Sequence, residues 1–284
     1  CIRDSRLVEQ GWFAAKNLPE PNMSKLLDLV ALGTVADVVP LDHNNRILVH
    51  QGLRRIRAGQ MVPGILALLE IANKNPKTIV ASDLGFSVAP RLNAAGRLDD
   101  MSLGIECLLT DDLNTAREMV RVLNQLNDER RVIEQDMQDQ AFAILSSMKS
   151  LQSKTMPRGI CLFEESWHQG VIGILASRVK DKFHSPVIAF ALANDSELKG
   201  SGRSIPGFHL RDALAEIAVK YPKLIQKFGG HAMAAGLTIS RQAFPEFAAA
   251  FNEVVSSQLS EDDLKHCLWS DGELALTECN LEMA

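Results

Sequence analysis

The sequence predicts an α/β protein in which a first part read as helices and loops leads, through one long connecting helix, into a smaller α/β domain. Three observations carry this. After Pro157, short apolar runs suited to buried strands alternate with helical stretches, the pattern of helices packed on a sheet. From Asp111 to Ser150 there is no Gly and no Pro, and apolar residues recur at three- and four-residue steps. With 284 residues, 46% of them hydrophobic, the chain is long enough for one large domain or two ordinary ones.

Residues 1–20 read as polar and irregular, with Trp12-Phe13 as an anchor onto the body. Met23 to Leu32 reads as a helix ended by Gly33. In Thr34-Val35-Ala36-Asp37-Val38-Val39-Pro40-Leu41 an acid sits among small and β-branched residues, which predicts at least partial burial of Asp37. A buried carboxylate needs a cation, a hydrogen-bond donor or a metal, and a helix cap or structural ion pair would meet that need as well as a ligand would. Asp42 is placed to cap a helix from Asn44 to Arg57, whose basic end (Arg54, Arg55, Arg57) suits its C-terminal dipole. Pro63 opens the next helix, and Asn73 to Lys77 is a loop. In Phe86 to Leu98, Arg91 and Arg97 bracket Asn93 within a small, apolar sequence. Arginine suits bidentate phosphate contact, while Asp99 and Asp100 offer an ordinary structural pairing instead.

The Gly- and Pro-free stretch, if continuous, is a helix about 60 Å long at 1.5 Å per residue. The change of composition at Gln152 to Pro157 marks a boundary. Beyond it Gly159 to Phe163 and Pro186 to Ala191 read as buried strands, and Gly170 to Val179 as a helix between them. Leu198 to Ser204 reads as an edge strand or turn, followed by helices near Leu210 to Lys220 and Gln242 to Leu259.

Composition excludes several classes. Aromatics make up only 5%, so the core must be built from aliphatic side chains. No apolar run approaches the roughly 20 residues needed to cross a bilayer, and no signal peptide opens the sequence. Cys1, Cys107, Cys161, Cys267 and Cys279 are scattered and form no CxxC pair, which argues for a reducing, cytoplasmic setting and against a structural zinc. A net charge of −5 gives no global attraction to polyanions, so any such site must be a local cluster of Arg and Lys. The opening on Cys1 rather than Met reads as the start of a piece of a longer protein, although trimming alone would look the same.

Three short stretches after Pro157 share a donor-rich, glycine-containing character. Trp167-His168-Gln169-Gly170 lies between a strand and a helix, where open α/β sheets place ligands. Ser201-Gly202-Arg203-Ser204 offers two hydroxyls and a guanidinium. In Gly229-Gly230-His231 the glycine pair fits a helix start or a tight backbone nest for an anion, or a plain tight turn. Together they point to a phosphate-binding second domain. No Walker loop, HExxH or zinc spacing is present.

Five of these stretches, in order, carry a resemblance: Leu32 to Leu41, Pro90 to Leu98, Trp167 to Gly173, Gly200 to Ser204 and Gly229 to Gly236. The sequence resembles the RecJ family of single-strand-specific DNA exonucleases, within the DHH/DHHA1 phosphoesterase superfamily. The resemblance implies the C-terminal part of a DHH domain over residues 1–110 and a connecting helix over 111–150. It further implies a DHHA1 domain over 151–260, and a lead-in to an oligonucleotide-binding (OB-type) domain over 261–284. It implies a 5′→3′ exonuclease of DNA repair and recombination that uses Mn²⁺ or Mg²⁺ at a two-metal site. Asp37 would be the one metal ligand present and thus the one catalytic residue, since the family's DxD and Asp-His-His motifs have no counterpart here. Trp167, His168, Gly170, Ser201, Arg203, Ser204, Gly229, Gly230 and His231 would grip the strand, with Trp167 stacking on bases, and Arg91, Asn93 and Arg97 would face it from the first part. Single-stranded DNA would be the partner, with a single-strand-binding protein and a helicase. Two other readings stand beside this one: an oligonucleotidase or phosphatase acting on short nucleotides, and a non-catalytic module that binds single strands.

Overall fold

The computed structural model describes residues 2–151, 157–267, 270, 272–275 and 277–279. The boundary expected at Gln152 to Pro157 falls, apart from Pro157 itself, outside the described residues. The chain divides into two compact units, Cys1–Val132 and Ile133–Ala284, so the division falls inside the long helix.

Among the described residues the first unit is helical throughout. Helices α1 (Ile2–Glu9) and α2 (Trp12–Ala15) occupy the stretch expected to be irregular, and Trp12 meets Phe13 edge-on at 5.1 Å instead of anchoring in the core. A 3₁₀ turn at Met23–Leu26 runs into α3 (Leu27–Ala36), then come α4 (His43–Arg57) and α5 (Pro63–Ile71). A short α6 (Ala81–Asp83) and a π-helical turn at Leu84–Val88 lead into α7 (Ala89–Leu98) and α8 (Ser102–Leu109). Gly33 does not end α3, which runs on to Ala36. A lone glycine in a helix interior costs only about 1 kcal/mol against alanine, and packing of α3 on α4 through buried Ala31, Leu32, Leu53 and Ile56 overrides it. Asp42 caps α4 as expected, its carboxylate accepting from Asn45 N–H at 2.8 Å.

Helix α9 (Leu113–Leu151) is unbroken over 39 residues, about 58 Å long. Its first half packs into the first unit through Ala116, Val120 and Leu123. Its second half is held to the second unit by the Trp167 indole, which donates to Gln140 Oε1 at 2.8 Å, and by an ion pair of Glu134 with Arg178 at 3.1 Å.

Among the described residues the second unit is built on one five-stranded sheet. Strands β1 (Ile160–Phe163), β2 (Val187–Asn194), β3 (Glu197–Arg203), β4 (Lys227–Gly230) and β5 (Ala234–Ser240) lie in the order β1-β2-β3-β5-β4, parallel between β1 and β2 and antiparallel elsewhere. Helix α10 (Ile172–Phe183) connects β1 to β2; α11 (Leu210–Lys220) and α12 (Phe244–Gln258) follow β3 and β5. The stretch read as an edge strand or turn, β3, is an interior strand paired on both sides. Its glycines hid this, and packing explains them. A Cβ on Gly200 would lie 2.6 Å from both Phe190 and Leu237, and one on Gly202 would lie 2.7 Å from Leu210. The core beneath is mostly aliphatic as expected, but its largest members are Phe190, Phe247 and Phe251, each worth roughly 1.5–3 kcal/mol of burial, so the few aromatics of the sequence are concentrated here.

Candidate nucleic-acid interface

Successive side chains of a strand point to opposite faces, so the register of the sheet sorts its residues. Leu198, Gly200 and Gly202 of β3 and Ala235, Leu237 and Ile239 of β5 belong to the face packed on α11 and α12. Lys199, Ser201 and Arg203 belong to the other face, with Thr238, Gly236 and Ala234 opposite them on β5. On the far side of β5, Lys227 and Gly229 pair with Thr238 and Gly236. This face therefore carries rows across three strands: Lys199–Thr238–Lys227, then Ser201–Gly236–Gly229, then Arg203–Ala234. Lys199, Lys227, Gly229 and Gly236 are exposed; Ser201, Arg203, Thr238 and Ala234 are half-buried.

At one end of these rows the first turn of α10 comes down onto the sheet. A Cβ on Gly173 would lie 3.0 Å from both Arg203 Nη2 and Ser201 Oγ. Arg203 Nη1 donates to Ser201 Oγ at 3.2 Å and to Gly202 O at 2.8 Å, which fixes the guanidinium on this face. A guanidinium against the positive end of a helix is electrostatically awkward by itself, and an anion between the two satisfies both.

The lead-in to α10 carries His168, exposed, whose Nδ1 accepts from Gly170 N–H at 3.1 Å and whose carbonyl accepts from Val171 and Ile172. Trp167 beside it is 4% exposed and committed to Gln140, so it is not a stacking platform. Ser204 is also not a ligand-facing hydroxyl. It is 1% exposed and donates to Phe208 O at 2.8 Å, because the period of two turns it to the opposite side from Arg203.

The Gly229-Gly230-His231 stretch is neither a helix start nor a nest of free donors. It ends β4 and turns into β5, with His231 N–H donating to Ala234 O at 2.8 Å. Gly230 has φ +140°, and a Cβ on it would lie 2.5 Å from Ala234 O. The turn is fastened to the body by Leu210 N–H donating to Ala232 O and Ser204 N–H to Met233 O. His231 is exposed and, with Gly230 and Ala232, faces His209 and Arg211 across a cavity of about 460 Å³.

In the first unit the expected cluster does not assemble. Arg91 is half-buried; its Nε donates to Asn124 Oδ1 at 2.9 Å and its Nη1 to Ser87 O. Burial, and then the nearby Arg131, push its pKa below the ordinary value. Asn93 is exposed and Arg97 half-buried on α7. At about 100° per residue Asn93 and Arg97 share a face that Arg91 does not. Asp37 is exposed, not buried as expected, because it caps the C-terminus of α3 and precedes Val38 at φ +53°. Among the described residues no group of three or more His, Cys, Asp or Glu could hold a metal ion, so the residues present do not make a metal centre around Asp37.

Sequence reasoning missed Lys199, Lys227, Gly173, His209 and Arg211. The first two were legible as the period-two alternation Lys199-Gly200-Ser201-Gly202-Arg203.

Residues 154–257 match the DHHA1 domain. The single-stranded-DNA-specific exonuclease RecJ of Dickeya dadantii is 55% identical over 99% of this chain and 48% of its own length. RecJ of Thermus thermophilus solved with Mg²⁺ superposes with a TM-score of 0.72 at 33% identity, over 86% of this chain and 36% of that one. The same protein solved with Mn²⁺ gives a TM-score of 0.72 at 32% identity, over 86% and 34%. This chain spans about half the length of the curated relatives it matches. It is similar to RecJ over nearly its whole length, and its second unit contains a DHHA1 domain.

Proposed function

We propose that this RecJ-like chain is the strand-gripping portion of a single-strand-specific 5′→3′ DNA exonuclease, and that its grip centres on Arg203 and Ser201. The observation that carries the reading is the seating of the Arg203 guanidinium against the first turn of α10, which the absent side chain of Gly173 permits. A phosphate there takes charge-assisted hydrogen bonds from Arg203, a hydroxyl donor from Ser201 and the positive end of α10. His168 and His231 flank the same β-sheet domain as further donors for the strand.

In this reading residues 1–110 are the C-terminal part of the DHH domain, and Asp37 contributes one ligand to its Mg²⁺ or Mn²⁺ centre. Asn93 and Arg97, on the exposed side of α7, contact the strand, while Arg91 holds α7 to α9. Residues 261–284 lead towards an oligonucleotide-binding domain. A single-strand-binding protein and a helicase would act on the same strand. With Asp37 as its one contribution to the metal centre, the chain by itself binds single strands and does not cleave them.

Two measurements on the purified chain test this. Fluorescence anisotropy of a labelled single-stranded oligonucleotide is expected to show salt-sensitive binding. Arg203→Ala is expected to weaken it by about ten- to a hundredfold, the worth of hydrogen bonds to a charged group. Incubation with Mn²⁺ is expected to release no mononucleotide. Affinity unchanged by Arg203→Ala at an unchanged Tm overturns the site, and release of mononucleotides overturns the inactivity.

A further inference from the structure

We propose that the row Lys199–Thr238–Lys227 is a second phosphate station, and that Gly229 and Gly236 keep the sheet between it and Arg203 bare so that the DNA backbone can lie directly on the strands. This rests on the reading of Arg203 and Ser201 as the first phosphate station.

The glycines of this sheet fall into two kinds. Gly200, Gly202 and Gly230 are required by the fold, since a Cβ on any of them would come within 2.5–2.7 Å of other atoms. Gly229 and Gly236 are not. A Cβ on Gly229 would meet nothing within 4 Å, and one on Gly236 only Gly200 O at 3.8 Å. Neither has a positive φ. Glycine weakens a strand interior, so a glycine that neither backbone nor packing demands marks a place where something outside the fold comes close. Both lie on the open face, paired with each other and level with Ser201.

Two residues further along, Lys199 and Lys227 stand on either side of Thr238. Among the described residues neither makes an ion pair, and both are exposed. They line a groove of about 320 Å³ over Gly236 and Gly229. Lys199 is four residues from Arg203, about 14 Å at the Cα atoms for an antiparallel strand, so the two cations serve different phosphates. Lysine at this station and arginine at the other fit a track that follows charge and ignores base identity. Cations spaced about 14 Å apart along a bare floor suit the repeating phosphates of an extended single strand, which uses both stations and the floor.

The test is anisotropy of a short labelled oligothymidylate with the whole 284-residue chain, as a function of salt, alongside thermal melting. Lys199→Gln with Lys227→Gln is expected to flatten the slope of log affinity against log salt by about 1.4, two contacts at about 0.7 each. Gly229→Ala and Gly236→Ala are each expected to leave Tm unlowered yet weaken binding on the order of tenfold, the scale of one overpacked contact. Thymidine monophosphate is expected to displace the oligothymidylate poorly. If the lysine pair leaves the slope unchanged, or the alanine variants bind as the parent does, the second station is overturned. Equal displacement by the monophosphate overturns it also. Should Arg203→Gln still weaken binding in that case, the first station stands alone; if it too has no effect, both fall.

Discussion

Helix α7 in the first unit and strand β3 in the second both set basic residues among small ones, and the two elements dispose them differently. In α7 the 100° step throws Arg91 onto a different side from Asn93 and Arg97, and Arg91 is drawn into bonds with Asn124 and Ser87. In β3 the period of two lines up Lys199, Ser201 and Arg203 on one face, and the register brings Gly236 and Gly229 level with them. Basic residues among small ones hold a helix in place in one region and line up along one open sheet face in the other. The period of the element decides which residues can act on one ligand.

The largest effect expected to test this comparison concerns Trp167, the aromatic that the sequence offered to the strand. Trp167→Ala is expected to destabilise the second unit by about 3–5 kcal/mol, seen in thermal or denaturant unfolding, as for other buried aromatics. A normal melt with lost DNA affinity would instead make the indole a stacking surface. Arg91→Ala is next. Its removal is expected to cost the first unit about 1.5–3 kcal/mol, the worth of hydrogen bonds to a charged group, and to leave oligonucleotide affinity nearly unchanged. The opposite outcome, stable protein and weak binding, would erase the contrast with Arg203. Smallest is Ser204→Ala, expected to cost about 1 kcal/mol of stability for the lost bond to Phe208 O and nothing in binding. A binding defect there would mean that the two faces of β3 are not separated as described.

The legibility of each region followed from how local its cause was. The capping of α4 by Asp42, the start of α5 at Pro63 and the helical period of α9 rest on contacts within a few residues and are legible in the sequence, whereas that α9 runs without a break is not. Gly33 inside α3 and the interior placement of β3 are not legible locally, because glycine signals a break and distant packing overrides it. The neighbours Ala36 and Val38 predict at least partial burial of Asp37, yet the end of α3 turns it outward.

By itself the sequence determined the helix–sheet alternation, the long α9 and the ordered motifs, because residue type and period are written along the chain. Only the tertiary structure decided that Trp167 and Ser204 belong to the fold, that Gly229-Gly230-His231 is a strand end and turn, and that Lys199 and Lys227 flank the groove. These depend on which strand pairs with which and on what a missing Cβ would touch, and both are set by residues tens of positions apart.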